Sequence, residues 1–180
     1  MKLIILDRDG VINEDSDNYI KTADEFIPYP DSLKAIARLN RAGYQVAIAT
    51  NQSGIGRGYY DEAALSAMHE KLAQQLKSLG GHVDYIAVCP HSPDTPCDCR
   101  KPLPGLLQEI ARHFDTRLDD VIMVGDKLAD IQAARAAGAK PVLVKTGKGE
   151  RTLAGGEGLE DVPVYSRLSA FVDAFLGQNT

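Results

Sequence analysis

Leu3-Ile4-Ile5-Leu6-Asp7-Arg8-Asp9-Gly10 opens the chain with four apolar residues that run directly into two acids flanking an arginine. An apolar run without polar alternation suits a strand buried on both faces, as in a parallel sheet. Similar runs recur at residues 46–49, 85–88, 121–124 and 142–144. Helical patterns lie between and after them, at 31–42, 61–79, 104–113, 128–137 and 168–175. Gly43, Gly80-Gly81 and Gly138 supply stops, and Pro104 stands where a first helical turn tolerates proline. The alternation predicts a doubly wound, Rossmann-like α/β domain around a central parallel sheet. Right-handed crossovers then bring the carboxyl ends of the strands to one edge, where ligands collect. Two longer connections, 10–30 and 89–104, leave that edge. The segment 155–161 reads as a surface loop.

The chain has 180 residues, the size of one ordinary domain, and the expectation is a single domain over 1–180. Its 44% hydrophobic and 25% charged residues are those of a globular protein. A net charge of −5 argues against bulk attraction to nucleic acid or an anionic membrane. No apolar run approaches the roughly 18–20 residues that span a bilayer, and the first one is too short for a signal peptide. The expectations are a cytoplasmic address and, with no heptad or apolar stripe, a monomer.

Chemistry gathers at the predicted strand ends. Asp7 and Asp9 are loop acids or, since Asp7 ends a buried strand, a carboxylate that needs a cation. Thr50-Asn51-Gln52-Ser53-Gly54 is a polar turn, or a hydroxyl with backbone N–H groups for phosphate oxygens. Asp126 is a helix N-cap or a ligand, and Asp130 follows one turn later. Lys101, before Pro102, is a salt-bridge partner or a cation for the same cluster. Together these residues make a complete set for phosphoryl transfer: an anionic nucleophile, a metal to cancel charge, donors on the equatorial oxygens and a second acid. Arg100 and Lys127 are further cations beside the site.

Two glycine-rich stretches are decoys. Gly54-Ile55-Gly56 fails as a dinucleotide fingerprint because Tyr59 stands where the third glycine belongs. Thr146-Gly147-Lys148-Gly149 lacks the upstream glycine and the hydroxyl residue of a P-loop. The first reads as a flexible loop with a solvated Arg57, the second as a surface turn. The three cysteines are an odd number within eleven residues, a poor disulfide framework. Cys89, His91, Cys97 and Cys99 are three reduced structural thiols and a surface histidine or, as their gathering in one segment favours, a set suited to tetrahedral zinc. Four protein ligands close such a site, so the zinc is structural and steadies Arg100 and Lys101.

The order and spacing of these residues resemble the haloacid dehalogenase-like superfamily of aspartate-nucleophile phosphatases. The resemblance implies that Asp7 is the nucleophile and that Asp9 is the general acid and then base. It implies that Thr50 and Lys101 hold the phosphoryl group. It also implies Mg2+ on Asp7, the Asp9 backbone carbonyl and Asp126. Asp130 is expected to act from behind these residues. The narrower set DRDGVIN (7–13), TNQSGIGRG (50–58), CPH (89–91), CDCRKPLPG (97–105) and VGDKLADI (124–131) is similar to the D-glycero-D-manno-heptose-1,7-bisphosphate 7-phosphatase family. That resemblance implies a sugar bisphosphate substrate losing its 7-phosphate, on the way to ADP- or GDP-heptose for lipopolysaccharide core or surface glycan. It implies sugar contacts from Asp15, Ser16, Asp17, Asn18 and Tyr19 and from Asn51, Gln52 and Ser53. The histidinol-phosphate phosphatase family is the alternative. The connections after the first and third strands leave no room for a cap domain.

Overall fold

The apolar run 3–6 forms strand β1 (Leu3–Leu6), buried at all four positions, in a computed structural model that describes residues 1–178. The last two positions of the expected 1–180 domain lie outside the described residues. After β1 come α1 (Pro30–Arg41), β2 (Gln45–Asn51), α2 (Ser53–Gly56), α3 (Glu62–Lys77) and β3 (Tyr85–Cys89). Then follow α4 (Gly105–Phe114), β4 (Ile122–Gly125), α5 (Leu128–Ala137), β5 (Lys140–Val144), α6 (Gly149–Gly155), β6 (Val164–Tyr165) and α7 (Leu168–Gln178).

The strands form one parallel sheet in the order β3-β2-β1-β4-β5-β6. The chain builds outward from β1 to β3, then returns to place β4 on the other side of β1. That reversal is the topological switch point, and ligands bind outside the strand carboxyl ends there. Leu6 is paired with Ile48 on one side and Val124 on the other, so the residues that follow β1 and β4 emerge together.

The period of two along β1 divides its side chains between two cores. Ile4 and Leu6 pack with Ile48, Ile36 of α1, Met68 of α3 and Phe171 of α7. Leu3 and Ile5 pack on the opposite face with Met123, Leu107 of α4 and Ala133 of α5. Helices thus cover both faces, which is why the strands carry no polar alternation.

The expected strands and long helices are present, with ends displaced by a few residues. Three short elements are additional: α2, α6 and β6. Residues 53–56 are therefore a helical turn rather than a flexible loop. The segment 146–148 is the expected turn, with Gly147 exposed on its outer side, and its inner side meets the strand ends. Gly147 has φ +58, and a Cβ there would lie 2.4 Å from both Asp126 Oδ2 and Gly10 Cα. Gly10, at φ +91, is equally constrained, since a Cβ would meet Asp126 Oδ2 at 2.1 Å.

Candidate active site

The end of β1 delivers Asp7, whose backbone N–H donates to the Val124 carbonyl at 2.9 Å. Its carboxylate is 4% exposed and faces two lysines. Lys101 Nζ is 2.9 Å from Asp7 Oδ1 and 2.7 Å from Asp130 Oδ1, and it also donates to the Ala49 carbonyl at 2.8 Å. Lys127 Nζ lies 3.1 Å from Asp126 Oδ1 and 3.6 Å from Asp7 Oδ2. One carboxylate oxygen from each of Asp7, Asp126 and Asp130 falls within 4.8 Å of the others.

Asp126 is fully buried and is not the helix cap. Lys127 occupies the cap position of α5, and Asp130 Oδ2 accepts the Asp126 and Lys127 backbone N–H groups at 3.1 Å each. Both Asp130 oxygens are thus engaged, one on Lys101 and one on the β4–α5 turn. Asp126 Oδ2 accepts the Lys148 N–H at 2.9 Å, leaving its carboxylate directed at Asp7 and Lys127.

These contacts set the protonation states. Burial raises the Asp7 carboxyl, but Lys101 and Lys127 outweigh it and hold it well below the usual carboxylate range. Burial and the neighbouring Asp7 charge push Asp126 up to about 8. Asp130 is raised by burial and by Asp7. Burial lowers both lysines, yet the surrounding carboxylates raise them above an ordinary lysine. The cluster is an ionised carboxylate clasped by ammonium groups, beside an acid that lacks a sufficient cation. Such a donor set fits a divalent cation between Asp7 and Asp126. The Lys127 ammonium already bridges those two residues.

Asp9 sits in different surroundings. Arg8, with no exposed surface, donates through Nε to Asp9 Oδ1 at 2.8 Å, and its NH2 is also 2.8 Å away. Asn13 Nδ2 donates to the same oxygen at 2.9 Å. Gln52 Nε2 lies 3.3 Å from Asp9 Oδ2 and donates to Thr50 Oγ1 at 2.8 Å, while Tyr60 Oη donates to Gln52 Oε1. The Arg8 guanidinium is also 3.2 Å from His69 Nε2 and packs over the Phe26 ring. Asn51 exchanges two hydrogen bonds with the Lys101 backbone, at 3.0 and 3.1 Å, which anchors that lysine across the chain.

A cavity of ≈ 270 Å³ opens above Asp7 and Asp9. Asn51, Gln52, Ser53, Arg100, Lys101 and Lys127 reach it. Of the 15–19 loop, Asp15, Ser16 and Tyr19 line it, whereas Asp17 and Asn18 do not. Asp17 instead pairs with Arg151 at 3.1 Å and Lys148 at 3.7 Å. Lys148, a further lining residue, pairs with Asp15 at 3.1 Å. Gln52 uses both ends of its amide on Thr50, Asp9 and Tyr60, so it braces the site from within. Thr50 is 1% exposed beneath it. Arg57 is exposed and does not line the cavity.

The cysteine loop gathers its sulfurs but not its imidazole. Cys89, Cys97 and Cys99 present Sγ atoms within 4.8 Å of one another, and Cys89 and Cys97 are 3.9 Å apart. His91 is not part of that group. Backbone N–H groups of Arg100 and Cys99 lower the Cys97 thiol, while burial raises Cys89 and Cys99. The loop is stitched to the helices on either side: Gly56 N–H donates to the Pro90 carbonyl at 2.8 Å and Gly105 N–H to the Asp98 carbonyl at 3.0 Å. A cluster of sulfurs with N–H donors suits a thiophilic metal.

Sequence reasoning did not find Arg8, Asn13, Tyr60 or Lys148. Arg8 and Asn13 lie within the DRDGVIN stretch, and their nearness to Asp9 in the chain was the available signal. Tyr60 and Lys148 gave none, because their partners come from distant elements.

Residues 6–138 match the family described as haloacid dehalogenase-like hydrolase. A Pseudomonas aeruginosa D-glycero-beta-D-manno-heptose-1,7-bisphosphate 7-phosphatase is 56% identical over 175 residues, 97% of each chain. The Pseudomonas putida protein of that name is 61% identical over 153 residues, 85% of this chain and 87% of the other. The crystal structure of a D,D-heptose 1,7-bisphosphate phosphatase from Bordetella bronchiseptica, complexed with magnesium and phosphate, superposes with a TM-score of 0.97 at 52% identity, covering 99% of each chain. With a family match over most of its length and relatives this similar from end to end, the chain belongs to the haloacid dehalogenase-like hydrolases, alongside the heptose-bisphosphate phosphatases.

Proposed function

We propose that this chain removes the 7-phosphate of D-glycero-β-D-manno-heptose 1,7-bisphosphate and leaves the 1-phosphate in place. The observation that carries the reading is Asp7: an ionised, buried carboxylate at the floor of a cavity, clasped by Lys101 and Lys127, with Asp9 two residues away. The β anomer is the one in the names of the relatives above.

In this reading the Asp7 carboxylate attacks phosphorus, and the bond from phosphorus to the C7 oxygen breaks. Asp9 gives its proton to that oxygen. Asp9 then takes a proton from water, which attacks the aspartyl-phosphate and frees Asp7. Thr50 and Lys101 donate to the phosphoryl oxygens as charge redistributes. Asp7, the Asp9 backbone carbonyl and Asp126 would hold Mg2+, which when bound supplies positive charge against those oxygens. Lys127 bridges Asp7 and Asp126 and lines the cavity, where its ammonium would face the phosphoryl oxygens. Arg100 lines the cavity without a side-chain partner among the described residues and is matched to the 1-phosphate. Asp15, Ser16, Tyr19 and Ser53 line the space for the sugar.

The reading includes a structural Zn2+ on Cys89, Cys97 and Cys99, with the His91 ring as the fourth ligand. It also includes one domain over the whole chain, a monomer, and a cytoplasmic place in nucleotide-heptose synthesis. Among the described residues no helix is long and apolar enough to cross a membrane. The test is product analysis by phosphorus NMR after incubation with Mg2+ and the β bisphosphate. Free phosphate with an intact anomeric phosphate is expected; loss of the anomeric phosphate, or no turnover, would overturn the reading.

A further inference from the structure

Gln52 is 3% exposed, and every polar atom of its amide has a place. Oε1 accepts from Tyr60 Oη, and Nε2 donates to Thr50 Oγ1 at 2.8 Å and lies 3.3 Å from Asp9 Oδ2. A primary amide has one accepting end and one donating end. A phenol that donates to Oε1 therefore fixes which end faces Thr50 and Asp9. Because Thr50 Oγ1 accepts from Gln52, its own proton is left for another acceptor. Among the described residues its acceptor is the Asn51 carbonyl, at 3.5 Å, the outer limit of a hydrogen bond. On Asp9, Arg8 and Asn13 both occupy Oδ1, so Oδ2, facing Gln52, is the oxygen free to exchange a proton.

The seat of the phenol is built into the fold. A Cβ on Gly54 would lie 2.3 Å from the Tyr60 Cε1 atom, so only glycine admits the ring there. Gly54 O also accepts the Tyr59 N–H at 2.9 Å. Burial pushes Tyr60 up to about 12, so it remains a donor at any working pH.

We propose that Tyr60 is a positioning residue: by donating to Gln52 it orients that amide, which holds the Thr50 hydroxyl free for a phosphoryl oxygen and steadies Oδ2 of Asp9. This rests on the roles given above to Thr50 and Asp9. The rival role for Tyr60, which also lines the cavity, is direct contact with substrate.

A double-mutant cycle separates the two. Tyr60→Phe keeps the ring in the Gly54 seat and should lower kcat about tenfold with KM changed less than about twofold. In a Gln52→Ala background the same substitution should cost less than about twofold, because the residue it acts through is gone. Equal losses in both backgrounds, or a rise in KM that persists without Gln52, would overturn the proposal. If Gln52→Ala unfolds, Gln52→Glu serves in its place, since its second oxygen cannot donate to Thr50. If the wild type releases no phosphate, the proposed activity fails first. The cycle is then read as orthovanadate affinity in the presence of Mg2+, by calorimetry. Non-additive losses of affinity support the positioning role; additive losses, or no vanadate binding by the wild type, sink it.

Discussion

The acids Asp7 and Asp9 stand two residues apart, and their partners give them different chemistry. Asp7 meets two ammonium groups at the sheet edge and is held ionised. Asp9, 20% exposed at its side chain, has one oxygen bound by Arg8 and Asn13 and the other turned toward Gln52. A nucleophile that stays charged and an acid with one exchangeable oxygen are the division of labour that phosphoryl transfer through an aspartyl-phosphate requires. Arg100 belongs to this scale as well. It lines the cavity, and in the proposed reading a bidentate contact to a second phosphate would contribute to binding rather than to chemistry. Arg100→Ala should raise KM for the bisphosphate by about ten- to a hundredfold while leaving a generic monophosphate within about threefold. Steady-state kinetics on both substrates checks this, and equal losses would remove the assignment.

At the scale of elements, the site depends on loops that bring backbone against carboxylate. The β5–α6 connection is one. Lys148 N–H and the bare α-carbon of Gly147 close over Asp126, so Gly147→Ala pushes a methyl group into that carboxylate at a positive φ. The expected cost is about 1–3 kcal/mol of stability, together with weaker Mg2+ binding by calorimetry. An unchanged Mg2+ affinity would show that this loop does not shape the cation site. The cysteine loop is the other. Removing zinc from a verified metal-loaded sample should lower Tm and phosphatase activity together, since ligand gathering and folding are coupled there. A melting curve indifferent to zinc content would remove the structural metal.

The same scale shows what can be read from a sequence and what cannot. Strand β1 and helix α5 were legible because an apolar run or a glycine stop is local. Elements α2, α6 and β6 were not. Each is short, and each is stabilised by a partner far along the chain. Gly56 N–H donates to the Pro90 carbonyl, Thr152 Oγ1 donates to the Asp126 carbonyl, and β6 pairs with Leu143 and Val144 of β5. For the site, the residues at strand ends were legible because topology alone gathers them. The partners that tune them, Arg8 through His69 and Tyr60 through Gln52, depend on side-chain directions that no spacing reports. The 15–19 loop divides for the same reason, with Asp17 drawn away by Arg151.

For the molecule as a whole, the sheet order places the proposed site where β1 and β4 end side by side, with helices packed on both faces of the sheet. One consequence is a dependence of stability on pH that originates beneath the site. Burial first, and then the Arg8 charge, depress His69 from 6.5 to about 4. Above pH 6.5 the ring is neutral in both folded and unfolded chains and contributes nothing. Between pH 6.5 and 4 only the unfolded chain binds the proton, so stability falls as pH falls, by up to about 3 kcal/mol in total. His69→Gln should flatten that limb. Urea unfolding at pH 7 and pH 4.5 checks it: the wild type should lose more stability than the variant, and equal losses would contradict the buried neutral imidazole.

The central claim is that Asp7 carries the phosphoryl group. The direct measurement is mass spectrometry of acid-quenched protein after mixing with Mg2+ and an aryl phosphate, whose leaving group needs no proton. In Asp9→Asn the first step then proceeds while the second lacks its base, so the peptide containing Asp7 should gain the mass of one phosphoryl group. Asp7→Asn should show neither that peptide nor turnover. Turnover by Asp7→Asn, or the phosphoryl group on another residue, would contradict the account.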